Sequence, residues 1–194
     1  MQVTEFFISI ESIILGFGIA RLIHGASHIF SKDKSYILTS VIWFSIWLHI
    51  LLSFWSDTNM IQLEKHLDFL WFCNRVIYYG VVFFMCDLLA PHDVENITSF
   101  EQHFKNIKQK YFLGWFFTAI LMFSGIPYFW DTQVMDKESL LLFLYFGIIP
   151  ITIFTIIGFL SNNKILIQIS IYGMLLTQIF NSLGTFMQQR NFIS

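Results

Sequence analysis

Residues 139–160 read SLLLFLYFGIIPITIFTIIGFL and contain no charged side chain. A helix needs about 20 apolar residues to cross roughly 30 Å of hydrocarbon, because lipid offers backbone groups no partners and each must pair within its own segment. This stretch meets that demand and reads as a membrane span. Working outward from it, five more runs meet the same demand, giving six spans over Val3–His24, Tyr36–Trp55, His66–Ala90, Tyr111–Trp130, Ser139–Leu160 and Lys164–Met187. Between them the polar groups Ser31-Lys32-Asp33-Lys34-Ser35, Ser56-Asp57-Thr58-Asn59, Asp131-Thr132-Gln133 and Ser161-Asn162-Asn163 read as turns.

The composition agrees. Of the 194 residues 56% are hydrophobic and 12% charged, where soluble domains carry about 25% charged residues. With 24 Phe and 6 Trp, the chain has more apolar surface than its few charges can cover in water. The expected fold is all-α: a polytopic transmembrane helical bundle forming one domain over 1–194. The first apolar run lacks a charged lead and a small-residue cleavage site, so it reads as a retained span and not a removed signal. Trp55, Trp115 and Trp130 stand near the expected span ends, where amphipathic rings favour the headgroup level. Cys73 and Cys86 fall within one apolar run and read as free thiols.

Partners are bounded by charge. The net charge is −2 and the 11 Lys and Arg are dispersed, which excludes nucleic acid as a default partner. Pro91–Lys110 is the one sizeable stretch between spans; Val94, Ile97, Phe100, Phe104 and Ile107 recur at helical spacing among charges, predicting a short cytoplasmic amphipathic helix on the membrane surface or packed on the protein. Arg21, Lys32, Lys34, Lys105, Lys108, Lys110 and Lys164 collect on one side, against Lys65, Lys137 and Arg190 on the other. That excess places the first, third and fifth loops in the cytoplasm and both termini outside a multi-pass inner membrane. Expected partners are the lipid bilayer and either further copies of the chain, as a homo-oligomer, or a membrane or cytoplasmic protein.

Charges within the spans are the informative residues, since an unpaired ion near the bilayer centre costs from about 3 to more than 10 kcal/mol. Glu11 and Arg75 lie at matching depths in spans one and three, roughly 12 to 14 Å from the span starts at 1.5 Å per residue, which allows an ion pair. Arg21 and Asp87 offer a second pair with signs reversed, but Asp87 is rotated about 120° from the Arg75 face, so this pair reads as the weaker. Glu11, Gly18, Arg21, Gly25 and His28 share a stripe whose small residues admit a neighbouring helix. A structural brace, an ion or proton path, and exposure to a partner protein all fit these charges. Ser45, His49, Ser53 and Ser56 line one face of span two, and Gln178, Asn181, Ser182 and Thr185 one face of span six; such stripes line water or bond neighbouring helices. Pro150 after Gly147 predicts a kink or a freed carbonyl. Spans four to six carry no internal charge and read as scaffold, so a site is expected among the first three.

Enzyme chemistry finds little footing. His24 and His28 have the i, i+4 spacing of a metal clasp, with His92 and His103 on the same side, but no Asp or Glu cluster joins them at metal-ligand spacing. No metal, haem or other cofactor is expected; His49 stands at another depth from His24 and His28. Met122-Phe123-Ser124-Gly125 departs from the rhomboid Gly-x-Ser-Gly motif, and no histidine follows His103. A seventh span with a retinal-binding lysine and a phosphate-binding Gly-rich loop are both missing.

Ile13-Ile14-Leu15-Gly16-Phe17-Gly18-Ile19-Ala20-Arg21-Leu22 followed by Gly25, and Trp47-Leu48-His49-Ile50-Leu51-Leu52 leading to Trp55, resemble a family of small bacterial multi-span integral membrane proteins. Pro91 after span three and His103-Phe104 before span four add to the likeness. The resemblance implies a bacterial origin and a membrane bundle and draws interest to Arg21, His49 and His103; it implies no reaction. In outline the chain is also similar to membrane accessories of phage-defence loci, including those beside RNA-targeting CRISPR systems. A channel, pore or transport role is the leading expectation, and an anchor or regulatory subunit the second.

Overall fold

The computed structural model describes residues 3–32, 37–63, 69–90, 99–124 and 141–191, with side chains over 5–26, 39–54, 69–90, 99–124 and 141–181. Among these residues the chain is all-helical, without strands. Its helices are α1 (Val3–Lys32), α2 (Ile37–Leu63), α3 (Phe69–Leu89), α4 (Phe100–Ser124), α5 (Leu141–Leu160) and α6 (Lys164–Asn191). Three segments are long and apolar enough to cross a membrane, namely Glu5–Ala26, Phe69–Leu89 and Leu141–Leu160, and Thr39–Phe54 is a shorter apolar helix.

Several boundaries differ from those expected. The Ser56-Asp57-Thr58-Asn59 group is not a turn: α2 runs through it to Leu63, since no Gly or Pro there removes a hydrogen bond or frees the backbone. Residues 100–110 are not a separate surface helix. They form the first turns of α4, which continues unbroken to Ser124 because Phe104, Tyr111 and Trp115 prolong one buried stripe. Trp115 therefore lies within α4 and fully buried, not at a helix end. The Ser161-Asn162-Asn163 turn is present: Asn163 Oδ1 accepts from Ile165 N at 2.9 Å as α6 begins. Residues 91–98 of the expected surface segment, Trp130 and Asp131-Thr132-Gln133 lie outside the described residues.

Pro150 acts on α5 as its chemistry requires. Proline has no N–H and its ring crowds the carbonyl four residues back. Leu144–Ile148 form a π turn just before it, with Ile149 N–H donating to Leu144 O, a five-residue step that widens the helix. Gly147 in this turn lets α6 approach, for a Cβ there would stand 2.6 Å from the Asn181 side-chain nitrogen.

The helices form a ring in the order α1, α3, α4, α5, α6, α2, each packing on the next and α2 closing on α1. α1 packs on α3 while α4 packs chiefly on α5, so the two halves do not repeat one arrangement. Small residues set the closest approaches. A Cβ on Gly25 would lie 2.7 Å from Ala90 Cβ, and one on Gly158 would collide with the Phe112 ring. The stripe of Glu11, Gly18, Arg21 and Gly25 is the face that α1 turns toward α3. The ring encloses one continuous core of Leu22, Ile46, Tyr79, Met85, Phe112 and Trp115 with their neighbours. Outward, the molecule presents large apolar side chains such as Phe17 at 66%, Leu70 at 72% and Leu160 at 72% exposure. An apolar exterior wrapped around a partly polar interior suits lipid, not water. Cys73 and Cys86 are free thiols.

Candidate functional site

Two polar regions lie inside this ring, at different heights. The first centres on Glu11, which α1 turns toward α3 and which is 1% exposed. Neither carboxylate oxygen takes a hydrogen bond among the described residues. Arg75 on α3 is the basic group whose charge acts on it. The expected Glu11–Arg75 ion pair is absent among the described contacts; instead the Arg75 guanidinium carbon stands 4.6 Å from the Tyr78 ring centre, 5.4 Å from Tyr79 and 6.0 Å from Trp71. Three π faces surround the cation, each attracting it through the ring quadrupole. The physical reason is rotation: Trp71, Tyr78 and Tyr79 sit within one turn of Arg75 or on the next, so its own helix supplies the cage.

From this cage a hydrogen-bonded chain crosses to α2. The Tyr78 hydroxyl bonds Ser53 Oγ at 2.6 Å and His49 Nε2 at 2.8 Å. The imidazole of His49 then packs edge-on against Trp115 of α4, ring centres 4.7 Å apart. One turn further along α2, Ser45 Oγ donates to Gln178 Oε1 of α6 at 3.4 Å, a long bond that leaves Gln178 Nε2 buried without a partner among the described residues. The polar stripes of α2 and α6 therefore meet each other. The expectation that the site belongs to the first three spans is too narrow, since α4 and α6 contribute Trp115 and Gln178.

Toward the chain's N-terminal side the region is closed by rings. Phe7 and Trp71, each one turn from Glu11 and Arg75 respectively, pack edge-on with centres 6.2 Å apart, and Phe72 lies 4.3 Å from Phe7. They form a second apolar cluster apart from the main core.

The other polar region joins the opposite helix ends. Arg21 Nε donates to Asp87 Oδ1 at 2.7 Å and its Nη2 to Ala90 O at 3.2 Å. The pair that angular arithmetic ranked second is thus formed, since the long Arg21 side chain can span a separation that helical angle alone disfavours. His103 Nε2 donates to Leu88 O at 2.8 Å. Lys108, buried on α4, donates to Ser161 O at 2.6 Å and Asn162 Oδ1 at 3.2 Å, placing a cation at the negative C-terminal end of α5. Sequence reasoning counted Lys108 only as a loop charge; its position one turn before Tyr111 on the buried stripe was the available signal. Lys164 bonds Glu101 at 3.0 Å, and Lys105 approaches the same oxygen at 3.5 Å. The Lys164 ammonium holds the Glu101 carboxyl below its ordinary value. Burial pushes the His103 imidazole below 6.5, partly offset by the Leu88 carbonyl.

Among the described residues the histidines gather no metal-ligand set. His24 is exposed on α1 and His103 is engaged with Leu88, and no group of three or more His, Cys, Asp or Glu assembles among the described residues. Side chains of His28, His92, Ser56, Ser182 and Thr185 lie outside those described.

No family model, curated protein or solved structure matches the chain.

Proposed function

We propose that this chain is a transport-type protein of the bacterial inner membrane with six spans and both termini outside, in which Glu11 takes up and releases a proton during passage of a solute or ion. One observation carries the reading: a carboxyl 1% exposed whose two oxygens accept no hydrogen bond among the described residues. An apolar interior tolerates such a group as the neutral acid or beside a cation, and a purely structural brace would satisfy it with donors. Arg75, held over three rings, supplies a positive charge that attracts the Glu11 carboxylate once its proton has left. The Phe7–Trp71 cluster closes one approach, and Ser53, Tyr78 and His49 offer exchangeable protons behind it. Because Tyr79, Phe112 and Trp115 fill the ring's centre, an occluded carrier-like site fits better than an open pore. The six-span topology draws support from the gathering of Arg21, Lys108 and Lys164 contacts at one end of the bundle. Association of several copies belongs to this reading.

Purified protein in vesicles carrying an internal pH dye tests it. Wild type should dissipate an imposed pH gradient and Glu11→Gln should not; folded wild-type protein giving no proton or ion flux would discard the proposal.

A second reading, a membrane anchor or accessory subunit, including one serving phage defence, draws on the exposed Gln102, Lys105, Asn106 and Gln109 on the first turns of α4. Alanine at these four positions should then release a cytoplasmic partner in a pull-down, and unchanged recovery would count against it.

A further inference from the structure

Between α3 and α4, on the outer surface of the ring, runs an apolar groove of about 280 Å³. Its walls are Ile77 and Phe84 from α3 and Leu113 and Phe117 from α4, and its floor is bare at Gly80, where a Cβ would meet nothing within 4 Å. The two helices run antiparallel, since Asn74 Nδ2 donates to Ser124 Oγ at 2.7 Å near one end and His103 bonds Leu88 O near the other. The Asn74–Ser124 clasp therefore lies toward one end of the groove, and Lys110, which also lines it, stands toward the other.

Lys110 differs from the other basic groups whose side chains are described. Arg21 has Asp87, Lys105 and Lys164 share Glu101, Lys108 holds the Ser161 carbonyl and Arg75 lies over aromatic rings. Lys110 is exposed, and no acidic or carbonyl partner is recorded for it among the described residues. It sits on the α4 face that passes from polar Asn106 to apolar Leu113 and Phe117, the level at which a lysine extends its ammonium toward headgroups.

We infer that the α3–α4 groove is a binding site for one anionic phospholipid, its acyl chain lying over Gly80 and its phosphate on the Lys110 ammonium. Charge complementarity selects the headgroup: a lone cation at the mouth of an apolar slot favours a lipid bearing net negative charge over a zwitterionic one. The apolar walls select a chain over free phosphate. The inference rests on the chain lying in a bilayer, not on proton transport. Recovery of the protein in the membrane fraction checks that premise separately.

Native mass spectrometry of the full chain released from detergent, with phosphatidylglycerol or phosphatidylcholine added, tests the site. Wild type should retain one phosphatidylglycerol at least tenfold more than phosphatidylcholine. Lys110→Gln should erase that preference, and Gly80→Phe, which fills open space on a helix that gains propensity, should remove retention of both lipids. Equal retention of the two lipids by wild type, unchanged preference in Lys110→Gln, or unchanged retention in Gly80→Phe would each overturn the assignment, as would displacement of the lipid by inorganic phosphate.

Discussion

The Arg21–Asp87 end of the bundle and the Glu11–Arg75 region are built from similar charges and satisfied in opposite ways. At the first, three cations each have an oxygen: Asp87 and Ala90 for Arg21, Ser161 and Asn162 for Lys108, Glu101 for Lys164. At the second, a carboxyl is buried without hydrogen bonds and a guanidinium rests on rings. Charge inside a membrane protein thus has two uses. Where partners are complete it fixes which helices meet, and the Glu11 carboxyl, without a hydrogen bond among the described residues, is where the proposed proton exchange would act.

The contrast is open to direct attack, beginning where the loss should be greatest. Arg21→Ala removes the Arg21 donors from Asp87 and Ala90 O; because the pair is partly exposed, the cost should fall at about 2 to 3 kcal/mol, below the range for fully buried pairs. Thermal unfolding in detergent measures it, and an Arg21→Ala/Asp87→Ala double variant should recover part of the loss. Lys108→Met removes the cap on α5 and should cost about 2 kcal/mol in the same assay. A neutral result at either position would end the claim that this region is a brace.

Glu11→Gln should move stability by less than about 1 kcal/mol, since it removes a charge that no hydrogen bond holds, while proton flux disappears. Heavy destabilisation by this isosteric change would make Glu11 a brace as well and erase the distinction. His103 gives a smaller, pH-dependent signal. Its imidazole titrates below 6.5 in the folded protein, so the unfolded chain takes up a proton first. Stability is then full above the unfolded value and falls as pH drops from about 6.5 toward the folded value. Unfolding midpoints recorded through that window should decline in wild type and flatten in His103→Gln. Smallest of all, Glu101→Gln should change stability by no more than about 0.5 kcal/mol and lose even that in high salt, because the Lys164 and Lys105 contacts are exposed.

Much of the architecture was legible without coordinates. The uncharged run ending at Leu160 declares a long apolar helix, and the stripe of Glu11, Gly18, Arg21 and Gly25 declares which face of α1 turns inward. The turn at Ser161-Asn162-Asn163 was legible for a similar reason, as three polar residues separate two apolar runs. Less could be read where composition shifts gradually. Ser56-Asp57-Thr58-Asn59 looked like a turn but has no residue that breaks a helix, and Phe100–Lys110 looked separate from span four although its buried stripe continues through Tyr111 to Trp115.

What the sequence determined by itself is therefore local: helical segments, their inward faces, the apolar exterior and the rarity of charge within it. Partnership was decided only by the tertiary structure. Helical periodicity gives the angle of a side chain about its own axis but not the rotation of one helix against another. Arg21 met Asp87 despite the unfavourable angle, because a long flexible side chain spans the distance. Arg75 lies over Trp71, Tyr78 and Tyr79, rings that its own helix places within about one turn of it. Ring order, which brings Gln178 to Ser45 across most of the chain, is likewise a property of six packed surfaces at once, and no single segment encodes it.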